Sequence, residues 1–70
     1  VEATAEDVKA RWGKRLQAKR EEAGETQVQL AARLGYFPQT ISRVERGQGS
    51  LDSFLIVAKA LDVELLGDQS

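Results

Sequence analysis

Apolar side chains recur at helical spacing in four stretches of this chain, and glycines stand between the stretches. Val8, Trp12 and Leu16 come every fourth residue, which puts them on one helical face. Thr4, with Asp7 three residues on, has the form of a capping box that starts this helix, and Gly24 is placed to stop it. Gly13, inside the same stretch, costs ~1 kcal/mol relative to Ala and reads as a local weakness. Thr26-Gln27-Val28-Gln29 is a second capping box; Leu30, Ala31 and Leu34 follow at helical spacing and Gly35 ends the segment. After Tyr36 and Phe37, Pro38 falls at a first helical position, with its φ already set for a helix. Ile41 and Val44 then turn inward, and Gly47 closes a third helix. Ser50 can cap a fourth, striped by Leu51, Phe54, Val57, Ala58 and Leu61. Val63, Leu65 and Leu66 can close the underside as a short last turn or helix.

There is no convincing alternating strand and no repeat. The pattern predicts an all-α fold: one compact domain over residues 1–70 with four or five short helices. Two short helices joined by a tight Gly-containing turn are the sequence form of a helix-turn-helix, here over about residues 26–47. Ala31 is small where the second helix of that unit crosses the first. Gln39, Thr40, Ser42, Arg43 and Arg46 are left outward on that second helix, a set of hydrogen-bonding side chains suited to the major groove.

Composition narrows the function. The chain has no Cys and no His, which removes disulfides, the usual structural zinc ligands and the imidazole base. No apolar run approaches the ~20 residues of a membrane span, and no charged-then-apolar leader opens the chain. We therefore expect a soluble, cytoplasmic, non-enzymatic domain with no cofactor and no metal. The chain also lacks Met, so we expect a piece trimmed, processed or cut from something longer.

A formal net charge of −1 is unpromising for a nucleic-acid binder until it is divided along the chain. Residues 1–7 form an acidic lead with Glu2, Glu6 and Asp7. Residues 8–46 carry nine basic groups against four acidic ones, a net +5. Residues 47–70 carry Lys59 against Asp52, Asp62, Glu64 and Asp68, a net −3. A partner meets the local field rather than the total.

The stretch from Trp12-Gly13 to Leu66 resembles the Cro/repressor (Xre-type, lambda-repressor-like) DNA-binding domains of phages and bacteria. The matching pieces are Arg20-Glu21, Gly24, Thr26-Gln27, Leu30-Ala31, Leu34-Gly35, the run Thr40 to Gly47, Ser50-Leu51-Asp52 and Ala58-Lys59-Ala60-Leu61. The resemblance implies a five-helix transcriptional regulator whose third helix reads the major groove while the second rests across the phosphate backbone. It implies groove-facing roles for Phe37, Pro38, Gln39, Ser42 and Arg43, and phosphate contacts for Gln27 and Gln48. Arg43 suits guanine O6 and N7, or a phosphate; Gln39 suits adenine N6 and N7, or a phosphate. Thr40, Arg46, Lys14 and Arg15 are further phosphate candidates. Trp12 lies on the Val8–Leu16 face and reads as core rather than a stacking platform. Arg20 and Glu45 match a pair that in the family is a structural salt bridge.

The chain departs from the family pattern in four places. Tyr36-Phe37-Pro38 stands where Val-Ser-Gln or similar is common, so the usual Ser cap of the recognition helix is lost. Phe37 either packs on a thymine methyl or folds back as a staple against Ile41 or Arg33. Pro38 sets the helix start, and its ring can also face the groove. Glu25 and Lys19 replace apolar or small residues, and Ile56 replaces a polar one. Ile56, Leu65 and Leu66 are candidates for a dimer contact, or simply cap the core. The expected partner is double-stranded DNA with two half-sites, bound by a homodimer. The function expected is sequence-specific DNA binding by a repressor-type regulator. Its alternatives are an antitoxin with autoregulatory DNA binding, or a protein-interaction module on the same scaffold.

Overall fold

The structure, a computed structural model, describes residues 4–65. Four helices follow one another: α1 (Ala5–Glu22), α2 (Gln27–Leu34), α3 (Pro38–Glu45) and α4 (Leu51–Ala60). Each start follows from the local sequence. Thr4 and Thr26 make reciprocal capping boxes with Asp7 and Gln29. The Ser50 side chain accepts from the Ser53 N–H. Pro38 occupies the first turn of α3, and its N-cap Phe37 supplies no side-chain cap.

The helix ends share one device. At α1, α3 and α4 a left-handed residue follows the last turn, at Gly24, Gly47 and Asp62. The next N–H reaches back five residues: Glu25 to Arg20 (3.1 Å), Gln48 to Arg43 (2.8 Å) and Val63 to Ala58 (2.8 Å). Tyr36 does the same to Ala31 across Gly35 (2.8 Å). This is the Schellman arrangement, which satisfies carbonyls that a helix end leaves orphaned. Asp62 at φ 60° takes the place glycine holds elsewhere, a conformation Asp tolerates better than most side chains.

One core joins the four helices: Leu16 from α1, Leu30 and Ala31 from α2, Ile41 and Val44 from α3, and Phe54, Val57 and Ala58 from α4, with Leu65 below them. Trp12 packs on it edge to face with Phe54, ring centroids 5.8 Å apart. Of the four or five helices expected, the described residues hold four, and after α4 they take the turn rather than the helix, because the Schellman bond of Val63 turns the chain back. One expectation needs correction. Leu51 is 48% exposed, since it sits in the first turn of α4 before that helix reaches the core. Leu65 is only 4% exposed and belongs to the core, which is the second of the two alternatives expected for it, rather than an open dimer contact. Leu66 lies outside the described residues.

Candidate nucleic-acid interface

α3 is divided along its length into a face that is held and a face that is offered. Ile41, Val44 and Glu45 are buried. Gln39, Arg43 and Arg46 are exposed, and Pro38, Thr40 and Ser42 are partly so. The i, i+3 and i+4 spacing of the inward residues leaves the others on the outer surface by geometry alone.

The held face is fixed at its C-terminal end. Arg20 on α1 donates from Nε to Glu45 Oε2 (2.5 Å) and from Nη2 to Glu45 Oε1 (3.2 Å), a two-pronged pair. Its Nη1 donates to the Glu25 carbonyl at 2.7 Å, so one guanidinium ties α1, the α1–α2 turn and α3 together. The two side chains are only 9% and 4% exposed. The hydrogen bond to Glu45 is the main cause that raises the Arg20 pKa, against the opposing cost of burial. Gln27, first residue of α2, donates from Nε2 to Glu45 Oε1 at 2.9 Å. Glu45 is thereby gripped from both neighbouring helices. No buried side-chain nitrogen or oxygen among the described residues lacks a partner.

Gly13 explains why α1 can come so close. A Cβ at this position would stand 2.5 Å from the Glu45 carbonyl oxygen and 2.6 Å from that of Val44. The weakness read in the sequence is a requirement of packing: α1 and α3 touch backbone to backbone here. Gly47 has a similar contact, where a Cβ would lie 2.8 Å from Ala10 Cα.

The offered face has a shallow concavity of about 240 Å³, lined by Thr40, Arg43, Gln48, Gly49, Ser50 and Ser53. It joins Thr40, Arg43 and Gln48, expected at a base or phosphate, to Gly49, Ser50 and Ser53, of which Ser50 is expected from the sequence only as a helix cap. Ser50 and Ser53 lie at the start of α4, and their hydroxyls are 3.1 Å apart. The signal that could have found them is the N-cap itself, because a helix start beside an arginine is favourable to an anion. Gln27 belongs to the clamp as well as to the phosphate set expected of it. Lys14 and Arg15 are exposed on α1 and do not line this concavity.

Phe37 is 76% exposed, so the fold-back staple expected as one alternative does not form. Two of the sequence departures acquire partners. Glu25 takes a two-pronged bond from Arg33, Nε to Oε2 and Nη2 to Oε1, both 2.9 Å. The Arg33 bond is the main cause that lowers the Glu25 pKa. Lys19 lies 3.6 Å from Glu22 on the outer side of α1. Ile56 is 44% exposed on α4.

A family model described as "Helix-turn-helix domain" matches residues 11–67. The chain belongs to this family. No curated protein and no solved structure matches it. The Xre-type, Cro/repressor-like character expected from the sequence agrees with the match and with the all-α four-helix fold. In this helix-turn-helix domain α2 and α3 form the motif, and the family is one of DNA-binding regulatory domains.

Proposed function

We propose that the chain binds double-stranded DNA sequence-specifically as part of a bacterial or phage transcription regulator, acting in the cytoplasm by occupying an operator. The observation that carries this reading is the division of α3. A buried ion pair fixes its angle, and the opposite face presents Gln39, Arg43 and Arg46. A recognition helix needs both, since bidentate base contacts tolerate little rotation. Arg43 is the base-reading candidate. Gln27 carries two N–H donors on one nitrogen, so it can hold Glu45 with one and meet a phosphate with the other. The concavity between α3 and the start of α4 suits a further phosphate.

A gel-shift series tests this. Arg43→Ala should lose ~1–3 kcal/mol of discrimination at one base position. The acidic lead and tail predict weak non-specific binding, so α3 has to supply more of the useful affinity than in a strongly basic relative. A domain that prefers no duplex over random DNA at moderate salt is not this regulator. Dimerisation on two half-sites ~34 Å apart is part of the proposal; with Leu65 buried, it rests on Ile56 alone among the described candidates.

A further inference from the structure

The start of α3 poses a problem for hydrogen-bond readout. Residues at the beginning of a recognition helix are the ones that meet base edges. Here the N-cap is Phe37 and the first helical position Pro38, which carry no polar side-chain atom, and Pro38 has no N–H either. Phe37 is the most exposed large apolar side chain among the described residues, at 76%. Its side chain makes no cap bond, and at that exposure it is not folded back on the helix as a staple. Its surroundings do suggest a partner. The same helix bears exposed Arg43 and is followed by exposed Arg46; its only acid, Glu45, is buried against Arg20, and Gln39 stands two residues after Phe37. An apolar tip on a segment that further along presents an amide at Gln39 and cations at Arg43 and Arg46 complements a DNA groove better than an apolar protein groove.

We infer that Phe37, backed by Pro38, reads the 5-methyl group of a pyrimidine at one step of the operator half-site. This rests on the DNA-binding reading above and adds its chemistry: specificity at that step comes from a methyl group rather than from a hydrogen bond. The major groove offers that methyl on thymine, and cytosine carries the same group once methylated at C5. The C5-methyl is the shared feature, and the base that carries it is settled by substitution.

The test begins with selection of a preferred duplex from a random library by the wild-type chain. Each thymine of the selected site is then replaced singly by deoxyuridine, which removes only the methyl. One thymine per half-site should weaken wild-type binding about fourfold, the worth of one buried methyl group. Phe37→Ala should bind the thymine and uracil duplexes equally, and Phe37→Leu should keep part of the preference. At the same step, 5-methylcytosine binding better than cytosine would show that the methyl is read on either base. A gain for thymine over uracil alone would assign it to thymine. The inference is overturned if no uracil substitution changes wild-type affinity, or if Phe37→Ala keeps the full uracil penalty. Neither result touches the DNA-binding reading, because selection has already succeeded by then. Failure to select any duplex overturns both. Thermal melts of the two variants control for folding, which an exposed side chain should not disturb.

Discussion

At its C-terminal end α3 is fixed from three sides, while at its N-terminal end it starts from a proline and an uncapped aromatic. Arg20, Gln27 and the backbone at Gly13 all converge on Glu45 and its carbonyl. Phe37, seven residues before Val44, has no side-chain bond to its own helix. The difference separates two tasks. Orientation is set where the helix is buried and ion-paired, and chemistry is left where it projects. A start capped by its own side chain would spend a polar group on the helix; Phe37 leaves the tip free to contact something else.

The largest way to break this contrast is to remove one half of the clamp. Arg20→Ala leaves the Glu45 carboxylate buried without its main partner, at a cost of about 3–5 kcal/mol. For a domain of this size that is much of the total stability, so denaturant melts should show a chain partly unfolded at room temperature. Replacing both residues with leucine should recover most of that loss, since a buried pair is worth little against apolar packing. DNA affinity should not recover, because Gln27 loses its anchor as well. A double variant that bound DNA normally would show that the pair does not position α3.

Gly13→Ala comes next. The added methyl meets backbone oxygens, which cannot swing away as a side-chain tip could. The α1–α3 contact must open, and the expected cost is about 1–3 kcal/mol in a thermal or urea melt. On propensity alone the same substitution should stabilise α1 by ~1 kcal/mol. The sign of the measured change therefore decides between close packing and helix propensity.

That conflict shows what the sequence could and could not convey. Helix starts and stops were legible because they depend on neighbours: Thr4 with Asp7, Thr26 with Gln29, Gly24, Gly35 and Gly47 at the ends. The Arg20–Glu45 pair was legible only through the family resemblance, since nothing local links residues 25 apart. The propensity cost of Gly13 is legible in the sequence, but the reason a glycine stands there lies on another helix. Leu65 is ambiguous in the sequence, because apolar residues after α4 serve core and interface equally well until the chain's path is known. Ser50 was read as a cap, but its place beside Arg43 depends on how α3 and α4 meet.

Phe37→Ser sharpens the contrast from the other end. Serine restores an acceptor for the uncapped N–H groups of α3 and should stabilise the domain by about 1 kcal/mol. If Phe37 reads a methyl, the same change should lower discrimination at that step. Higher stability with weaker selectivity would mean that the aromatic is retained at the expense of the fold. Higher stability with unchanged selectivity would leave Phe37 without a role at the groove.

The smallest effect concerns the second ion pair, Arg33 with Glu25, which has the same two-pronged geometry as the clamp but lies near the surface. Bonding to Arg33 holds the Glu25 carboxyl below its ordinary range. A carboxyl whose folded pKa is depressed adds stability that is complete above its unfolded pKa and fades as pH falls through the folded one. Glu25→Gln should therefore melt slightly below wild type at neutral pH, and the gap should close in acid, below the ordinary carboxylate range. Added salt should narrow it as well, because an exposed pair is screened. The Arg20 clamp should lose far less to the same salt, being buried. If salt weakened both pairs alike, water would reach the foot of α3, and the contrast between its two ends would rest on packing at Gly13 alone.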